Sequence, residues 1–352
     1  MEALTYSLII IGIVLAFQIL SAAYSVYAER KVSALIQQRI GPNRTGPFGL
    51  LQPFADVLKL LLKEDIIPKS ADKIIHFVAP VVAVTISLIT IAVVPFAKAD
   101  FAFTEATGGF VTIADVNIGI LYVLAITSIS VYGITLAGWS SNSKYPLLGG
   151  LRSSAQMISY ELAMGLAVVS VILLTNARFE GVGGFLRPGA IVEAQRMAWN
   201  MFVNPIGFII FVICAFAEAN RAPFDLVEAE QELVGGFHTE YSSMKFALFF
   251  LAEYIHIVVG SMLIVTLFVG GYLGPFEGML GVTEWEPLYQ MLWGIGWFFI
   301  KTVFFIFVFI WVRWTLPRFK YNQLMDLGWK RLLPLALVNL LVIAVVIAFF
   351  VI

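Results

Sequence analysis

The chain has 352 residues, of which 60% are hydrophobic and only 13% are charged, and its net charge is −1. A soluble domain carries about 25% charged residues, so this composition and the mean hydropathy of +0.91 exclude a water-soluble protein. The alternation of polar and apolar residues that marks membrane strands is absent from the sequence. The pattern therefore indicates an all-α polytopic membrane protein and not a β-barrel.

Apolar windows of about 20 residues mark the membrane spans. The first window has no basic residues in front of it and is longer than the apolar part of a signal sequence, so we expect it to remain as a permanent span. We predict a single membrane domain, 1–352, built as a bundle of about eight transmembrane helices. The predicted spans are 3–26, 74–96, 116–138, 154–175, 202–219, 245–273, 291–313 and 331–352.

Lysine and arginine are distributed unequally between the loops. With eight spans, both termini lie on one side of the membrane and four loops lie on the other. Those loops and the residues at their borders contain 17 of the 22 Lys and Arg residues. The positive-inside rule therefore predicts that these loops are cytoplasmic and that both termini are periplasmic. The four loops are 27–73, 139–153, 220–244 and 314–330, and we expect 27–73 and 220–244 to be functional.

The first of these loops contains a short amphipathic helix. In "PFADVLKLLLKED" and the residue before it, Gln52, Asp56, Lys59 and Lys63 form one polar stripe opposite an apolar face. A helix of about 12 residues is too short to cross the membrane, so we expect it to lie along the membrane surface. It either rests among the headgroups or covers an opening through which an apolar molecule enters. The pattern alone favours the first interpretation.

Three acids, Glu161, Glu218 and Glu253, and one lysine, Lys301, lie inside the predicted spans. A charged side chain at the bilayer centre costs on the order of 3 kcal/mol or more, so such groups face the bundle interior, form pairs or become neutral. Three acids at similar depth favour a connected proton or cation path over separate structural pairs. Lys301, near the middle of its span, is a candidate partner for a buried acid.

The loop between the fifth and sixth spans concentrates negative charge. Residues 217–241, "AEANRAPFDLVEAEQELVGGFHTEY", include the end of the fifth span and most of this loop, and they contain one arginine, Arg221. Asp225-x-x-Glu228 fits a capping box that begins a helix over about 226–234. One interpretation is a solvated surface helix. Near anionic lipid, however, such a cluster needs a basic partner, bound cations or shared protons. The six carboxylates of the stretch belong to Glu218, Asp225, Glu228, Glu230, Glu232 and Glu240.

Cysteine and histidine give no metal-binding pattern. Cys214 is the only cysteine, so neither a disulfide nor an iron–sulfur ligand set is expected. The three histidines, His76, His238 and His256, do not have the spacing of zinc ligands. We expect the chain to bind no metal or redox cofactor and not to carry electrons itself.

Four stretches together resemble one family. They are "AERKVSALIQQRIGPNRTGPFGLLQPFADVLKLLLKE", "QMISYELAMG", the acidic stretch quoted above and "FFLAEY". In this order they resemble the membrane subunit of respiratory complex I that is designated H in bacteria and subunit 1 in mitochondria. The resemblance runs from the first span to the last. It implies a subunit of proton-pumping NADH:quinone oxidoreductase, a translocase, in which the isolated chain is not catalytic.

The resemblance also implies partners and a location. Quinone would be the substrate, ubiquinone or menaquinone, and FMN and the iron–sulfur clusters would be held by partner subunits. The chain would contact the iron–sulfur subunits of the peripheral arm, small membrane subunits, antiporter-like subunits and the lipid bilayer, but no nucleic acid. We expect a multi-pass protein of the bacterial cytoplasmic (inner) membrane rather than of the mitochondrial inner membrane.

Residue roles follow from the same resemblance. It implies a quinone chamber with its mouth open to lipid, and it makes the amphipathic helix part of the doorway. From the chamber a funnel of carboxylates would lead towards the antiporter-like subunits; Asp225 would also belong to this funnel, and Arg221 would be interleaved with its acids. The chamber and its approach would contain Glu29, Arg30, Asp56, Lys59, Arg221 and Asp225, and the proton path Glu161, Glu218, Glu228, Glu230, Glu232, Glu240 and Glu253.

Two other functions fit parts of the sequence. The corresponding subunit of a membrane-bound, energy-converting hydrogenase would keep the carboxylates but would not need a quinone doorway, and the complete "GPNRTGPFGLLQPFADVLKLL" stretch favours the quinone enzyme. A free-standing cation/proton transporter is disfavoured because the sequence has no internal repeats and has a large acidic cytoplasmic loop.

Overall fold

The computed structural model describes residues 2–101, 104, 107, 109–178, 184–225, 234–275, 277 and 281–350. Within these ranges the regular secondary structure is helical, apart from one isolated β-bridge between Lys98 and Phe110. The prediction of an all-α polytopic membrane protein is confirmed. The α-helices are α1 (Glu2–Ile36), α2 (Gln52–Leu61), α3 (Lys73–Ile89), α4 (Gly119–Ser140), α5 (Lys144–Arg178), α6 (Pro188–Ala194), α7 (Asn200–Val203), α8 (Pro205–Glu218), α9 (Ser243–Phe268), α10 (Pro287–Thr315), α11 (Tyr321–Asp326) and α12 (Leu333–Phe350).

Seven helical segments in the described part of the chain are long and apolar enough to cross a membrane. The last of them includes α11, a π-helical turn over Leu327–Leu332 and most of α12. The remaining predicted span, 202–219, corresponds to α8, which has only 14 residues. The seven long segments are Leu8–Ile36, Lys73–Val93, Gly119–Ser140, Lys144–Arg178, Ser243–Phe268, Pro287–Thr315 and Tyr321–Phe349.

The fifth predicted span, 202–219, is not one continuous helix, because the helix is interrupted at Asn204. Pro205 begins α8, at a position where the missing N–H of proline removes no helical hydrogen bond. The Asn204 side chain accepts a hydrogen bond from the Gly207 N–H at 3.0 Å and donates one to the Ser170 hydroxyl at 2.6 Å. The 14 residues of α8 extend over about 21 Å, which is shorter than a hydrocarbon core of about 30 Å.

Helix α1 runs to Ile36, beyond the predicted end of the first span at residue 26. Glu29 and Arg30 therefore lie on the last turns of α1 and not in a loop. At this end of the bundle α2 lies against the start of α9, where the Ser243 hydroxyl donates to the Leu60 carbonyl at 2.9 Å. We call the part of the molecule around this contact the α2 end.

Helix α9 lies in the centre of the bundle. Of its most apolar 18-residue window, 61% is buried, compared with 17% for the first long segment and 22% for the last. It packs against α1, α3 and α10, so any polar residue on α9 is held among other helices. Because lipid does not drive helices together as water does, small residues favour such close packing.

The chain that follows the acidic loop packs tightly on α5. A Cβ atom at Gly149 would lie 2.8 Å from the Cα of Gly236, so two glycines permit this approach. The next residues bring Tyr241 against α3, where its ring stacks on that of His76 at 3.9 Å, and its hydroxyl lies 3.0 Å from the Ser140 hydroxyl. Burial raises the pKa of Tyr241 to about 12, so this phenol stays neutral.

Candidate functional site in a line of buried charges

The polar face of α2 is attached to the end of α1 through Asp56. Arg30 Nη1 donates to Asp56 Oδ2 at 2.6 Å, and Gln52 Nε2 donates to Asp56 Oδ1 at 3.0 Å. Lys59 Nζ lies 3.7 Å from the same Oδ1. Leu58, on the apolar face, is 60% exposed. The short helix therefore directs its charges towards α1 and its apolar side chains away from the protein.

The connection between α1 and α2 folds back on itself at Gly49. Its φ is +82°, and a Cβ atom there would lie 2.3 Å from the carbonyl oxygen of Pro42, so only glycine fits this turn. The turn leaves an open cleft of about 760 Å³ beside α2, lined in part by Arg30, Arg39 and Arg44. Three arginines and no acidic residue line this cleft, so it is basic.

Glu29, next to Arg30, is buried and holds three elements together. It forms an ion pair with Arg313 of α10, and it accepts a hydrogen bond from the Tyr254 hydroxyl of α9 at 2.8 Å. Arg221 Nη1 lies 4.0 Å from Oε2, the oxygen that accepts this hydrogen bond. A buried carboxylate is tolerated only when cations and donors compensate for the lost water, and these three partners do so.

Arg221 connects Glu29 to the next acid of the line. Its side chain is only 3% exposed, its guanidinium lies 4.3 Å from the centre of the Tyr254 ring, and its Nη2 lies 3.7 Å from Glu253 Oε2. Asn220, just before it, adopts a φ of +48° that ends α8, a conformation that asparagine tolerates. The Asn220 side chain accepts a hydrogen bond from Ser153 at 3.0 Å, which fixes this end of α8 on α5.

Two small cavities continue the line from Glu253 into the bundle. The first provides about 30 Å³ for water centres and is lined by Glu253, His256 and Glu218, among others. The second provides about 10 Å³ and is lined by Glu218, Glu161 and Thr127, among others. A cavity needs about 10–15 Å³ of such space to hold one water molecule. At the far end, the Ser128 hydroxyl donates to Glu161.

Comparison with known proteins identifies the family. The family model described as NADH dehydrogenase matches residues 9–344. The chain belongs to this family. It is 56% identical over 356 residues to NADH-quinone oxidoreductase subunit 8 of Rhodothermus marinus, across 99% of this chain and 98% of that one. It is 55% identical to the NADH-quinone oxidoreductase subunit designated H in Salinibacter ruber, across 96% and 95% of the two chains. It is 47% identical to the one designated H 1 in Cytophaga hutchinsonii, across 97% and 96%. The resemblance to this membrane subunit of complex I is confirmed.

In this member of the NADH dehydrogenase family, most of the site residues predicted from the sequence fall into two groups in the structure, and the others belong to neither group. Arg30, Asp56 and Lys59 form the α2 cluster. The second group, which we call the buried line, contains Glu29 and Arg221, which are buried, and Glu253, Glu218 and Glu161, which are half-buried. Asp225 is buried just beyond Arg221, and Glu240 is half-buried in the turn before α9. Glu228, Glu230 and Glu232, with the predicted helix 226–234, lie outside the described residues. Among the described residues, no group of three His, Cys, Asp or Glu side chains converges as metal ligands.

Three residues of the site were not predicted: Arg313, Tyr254 and His256. From the sequence, Arg313 is only one of the basic residues at the borders of the predicted loops. Its position one turn from the end of an apolar run could have indicated a partner for a buried acid. Tyr254 and His256 lie one and three residues after Glu253. Because residues three apart share a helix face, the spacing could have predicted that His256 lies beside Glu253.

Lys301 differs from the expected partner of a buried acid. Its ammonium donates to the carbonyl oxygens of Val269, Gly271 and Leu273 at 2.7, 3.1 and 2.6 Å. It lies 4.6 Å from the Trp199 ring centre. These carbonyls follow the end of α9, where a helix has unsatisfied acceptors and favours a cation. Lys301 thus stabilises the end of α9 that is remote from the α2 end.

A separate cluster surrounds Glu193, on α6. The Tyr272 hydroxyl donates to Glu193 Oε1 at 2.6 Å, Arg196 Nη2 donates to the same oxygen at 3.2 Å, and Lys98 Nζ lies 3.4 Å from it. Burial opposes ionisation of Glu193, but these hydrogen bonds and cations outweigh it and lower the pKa of its carboxyl. The cluster joins α6, the chain after α9 and the segment at Lys98, and has no contact with the buried line among the described residues.

Proposed function

We propose that this chain forms part of the quinone chamber of a proton-pumping NADH:quinone oxidoreductase and transmits quinone reduction to proton translocation through its buried carboxylates. The proposal is supported by the family and by the names of its relatives, which are subunits of NADH-quinone oxidoreductases. It is supported further by one observation: two ion pairs and two small cavities arrange Glu29, Arg221, Glu253, Glu218 and Glu161 in one series, which begins next to Arg30 of the α2 cluster.

The chamber would lie at the α2 end. There α2 presents exposed apolar side chains, suited to lipid or to the tail of a quinone. Its other face carries Asp56 and Lys59, and Arg30 of α1 lies against Asp56. A quinone dissolves in the bilayer, so its route to a charged site must begin at an apolar surface. The α2 helix offers both surfaces within ten residues.

The coupling step follows from electrostatics. Reduction of a quinone to a quinol takes up two electrons and two protons, and electron arrival before protonation places negative charge in the chamber. Arg221 lies between Glu29 and Glu253, so any charge that attracts its guanidinium weakens its hold on both acids. In a medium of low dielectric constant such changes act strongly over short distances. The ionisation of Glu253, Glu218 and Glu161 would then change in sequence.

The remaining assignments belong to the same proposal. FMN and iron–sulfur clusters would reside in peripheral-arm subunits, which would cover the acidic stretch and the basic cleft beside α2. Small membrane subunits and antiporter-like subunits would continue the path beyond Glu161. The complex would lie in a bacterial cytoplasmic membrane, with the α2 end in the cytoplasm and both chain ends on the periplasmic side.

The variant Glu218→Gln tests the proposal, because the amide keeps the shape of the side chain and cannot carry a proton away. In the assembled complex we expect about tenfold slower NADH:quinone reduction or more, with normal reduction of an artificial electron acceptor by NADH. Glu284→Gln, at an exposed position, is the matched control and should leave both rates unchanged. Wild-type quinone reduction and proton pumping in Glu218→Gln would contradict the proposal.

A further inference from the structure

The cavity between Glu253 and Glu218 has a third titratable wall, His256. It lies three residues after Glu253 on α9, so both side chains occupy the same face of that helix. Glu218 faces them from the end of α8 across the space of about 30 Å³. Within the part of the chain that the structure describes, no hydrogen bond or ion pair holds the His256 ring.

An imidazole in this position differs chemically from the other walls. The cavity is otherwise lined by apolar and small side chains, by the Ser130 hydroxyl and by Asn220. The Ser130 hydroxyl also has no hydrogen-bond partner among the described side chains and backbone. A neutral imidazole has one N–H donor and one acceptor nitrogen on opposite sides of its ring. Water bound here would therefore find His256 and Ser130 as partners, in addition to the two carboxyl groups.

The described charged groups near the ring are few. Glu253 is on its own helix and is paired with Arg221 at 3.7 Å. Glu218 faces it from α8 and shares its other cavity with Glu161 of α5. Helices α3 and α4 contribute Ala83, Ser130 and Ile134 to the cavity. The two titratable neighbours of His256 in the cavity are thus the two acids between which a proton must pass.

We propose that His256 is a proton-relay residue between Glu253 and Glu218, an inference that rests on the proposed function. A proton leaves the Glu253 carboxyl through cavity water and binds the acceptor nitrogen of the ring. The opposite ring nitrogen releases its own proton through water to the Glu218 carboxylate. Glu253 ends ionised, Glu218 ends protonated and the ring ends neutral in its other tautomer, so one proton has moved. Rotation of the ring restores the first tautomer.

The test compares His256→Asn and His256→Gln in the assembled complex reconstituted into liposomes. Both amides keep a donor and an acceptor of similar size but cannot bind and release a proton. Water in the cavity can replace part of the relay, so we expect a loss of about tenfold in quinone-coupled turnover rather than the hundredfold or more of a sole proton donor. Proton pumping should fall with it, and reduction of an artificial acceptor should not change. Ser261→Ala, on the same helix and away from the cavity, is the control; two amides of different length keep the test open if one fails to assemble.

The pH dependence separates a relay from a space-filling role. Removal of a titrating group changes the shape of the profile of turnover against pH, whereas a packing defect lowers the rate by the same factor at every pH. A changed profile in the amide variants supports the inference. An unchanged profile, or wild-type turnover, overturns it. If Glu218→Gln is slow while the His256 variants are normal, only the relay fails; if both are normal, the proposed function fails as well.

Discussion

Arg221 Nη2 lies 3.7 Å from the carboxylate of Glu253, in a position where the arginine side chain is only 3% exposed. The same guanidinium faces Glu29 and the Tyr254 ring. The planar, delocalised guanidinium suits this double contact, because it can face two carboxylates and stack on an aromatic ring at once. The single charge of Arg221 therefore stabilises the packing of three elements: the end of α1, the end of α8 and the interior face of α9.

Replacement of this arginine should affect both stability and turnover. In Arg221→Met, Glu29 and Glu253 lose a shared cation, and removal of one partner from a buried pair costs about 3–5 kcal/mol. We expect a lower unfolding temperature of the purified complex and quinone-coupled turnover reduced by about tenfold or more. Differential scanning calorimetry and NADH:quinone assays measure the two effects.

The control for this change is Arg318→Met, which removes an exposed arginine and should alter neither quantity. Arg221→Lys should recover part of the stability, since it restores the charge, but less of the turnover, since an ammonium cannot contact both acids in the same way. Equal stability in Arg221→Met and the wild type would contradict the role assigned to Arg221.

Asp56→Asn tests the attachment of α2. The change removes the charge that holds Arg30 at 2.6 Å and attracts Lys59 at 3.7 Å. These cations are partly exposed, so the pairs contribute only about 0.5–1 kcal/mol, and we expect the fold to persist. The apparent KM for quinone should rise, while reduction of an artificial acceptor should stay normal.

Lys63→Ala is the matched control for Asp56→Asn, because Lys63 lies just beyond α2 and is exposed. It should leave the KM for quinone unchanged. A parallel loss of quinone and acceptor reduction in Asp56→Asn would indicate failed assembly, and an unchanged KM would contradict the doorway assignment.

The sequence could predict the fold class and the acids, since hydropathy marks lipid-facing helices and a carboxylate inside an apolar run is visible at once. It could not predict the pairs. Glu29 and Arg313 are 284 residues apart, and their contact depends on how α1 and α10 pack. Hydropathy also did not predict the interruption of the helix at Asn204, because the residues before and after Pro205 are equally apolar. Such contacts are tertiary, and a single sequence does not record them.

Lys301 shows the same limit, and it gives a third prediction. The expectation of an acidic partner rested on charge alone, whereas the structure supplies three carbonyl oxygens at the end of α9. Lys301→Met keeps the length of the side chain and removes the donor. Buried acceptors left without a partner cost about 1–3 kcal/mol, so we expect a lower unfolding temperature with little change in the KM for quinone.

The control for Lys301→Met is Lys320→Met at an exposed position, which should leave the unfolding temperature unchanged. If Lys301 instead served the proton path, Lys301→Met would reduce quinone-coupled turnover without reducing the unfolding temperature. That result would contradict the capping role.

Glu193→Gln gives a prediction with a defined pH dependence. The folded-state pKa of Glu193 lies below its ordinary value of 4.5, so ionised Glu193 stabilises the folded state. This contribution is fully present above about pH 4.5 and is lost as the pH falls through the lowered pKa. The glutamine variant, which cannot ionise, should therefore unfold at a lower temperature than the wild type at pH 7, by an amount equivalent to about 1–2 kcal/mol.

The difference between the two proteins should shrink as the pH falls below about 4.5, because the carboxyl is then protonated in the unfolded chain. Below its lowered pKa it is protonated in the folded protein as well and loses its attraction for Arg196 and Lys98. The measurement is the unfolding temperature of the purified complex across this pH range, for the wild type, Glu193→Gln and the control Glu284→Gln. Since Glu284 is exposed, that variant should follow the wild type at every pH. A difference that stays constant through the acidic range would show that Glu193 acts through its shape and hydrogen bonds, and that its charge does not stabilise the junction of α6 with the chain after α9.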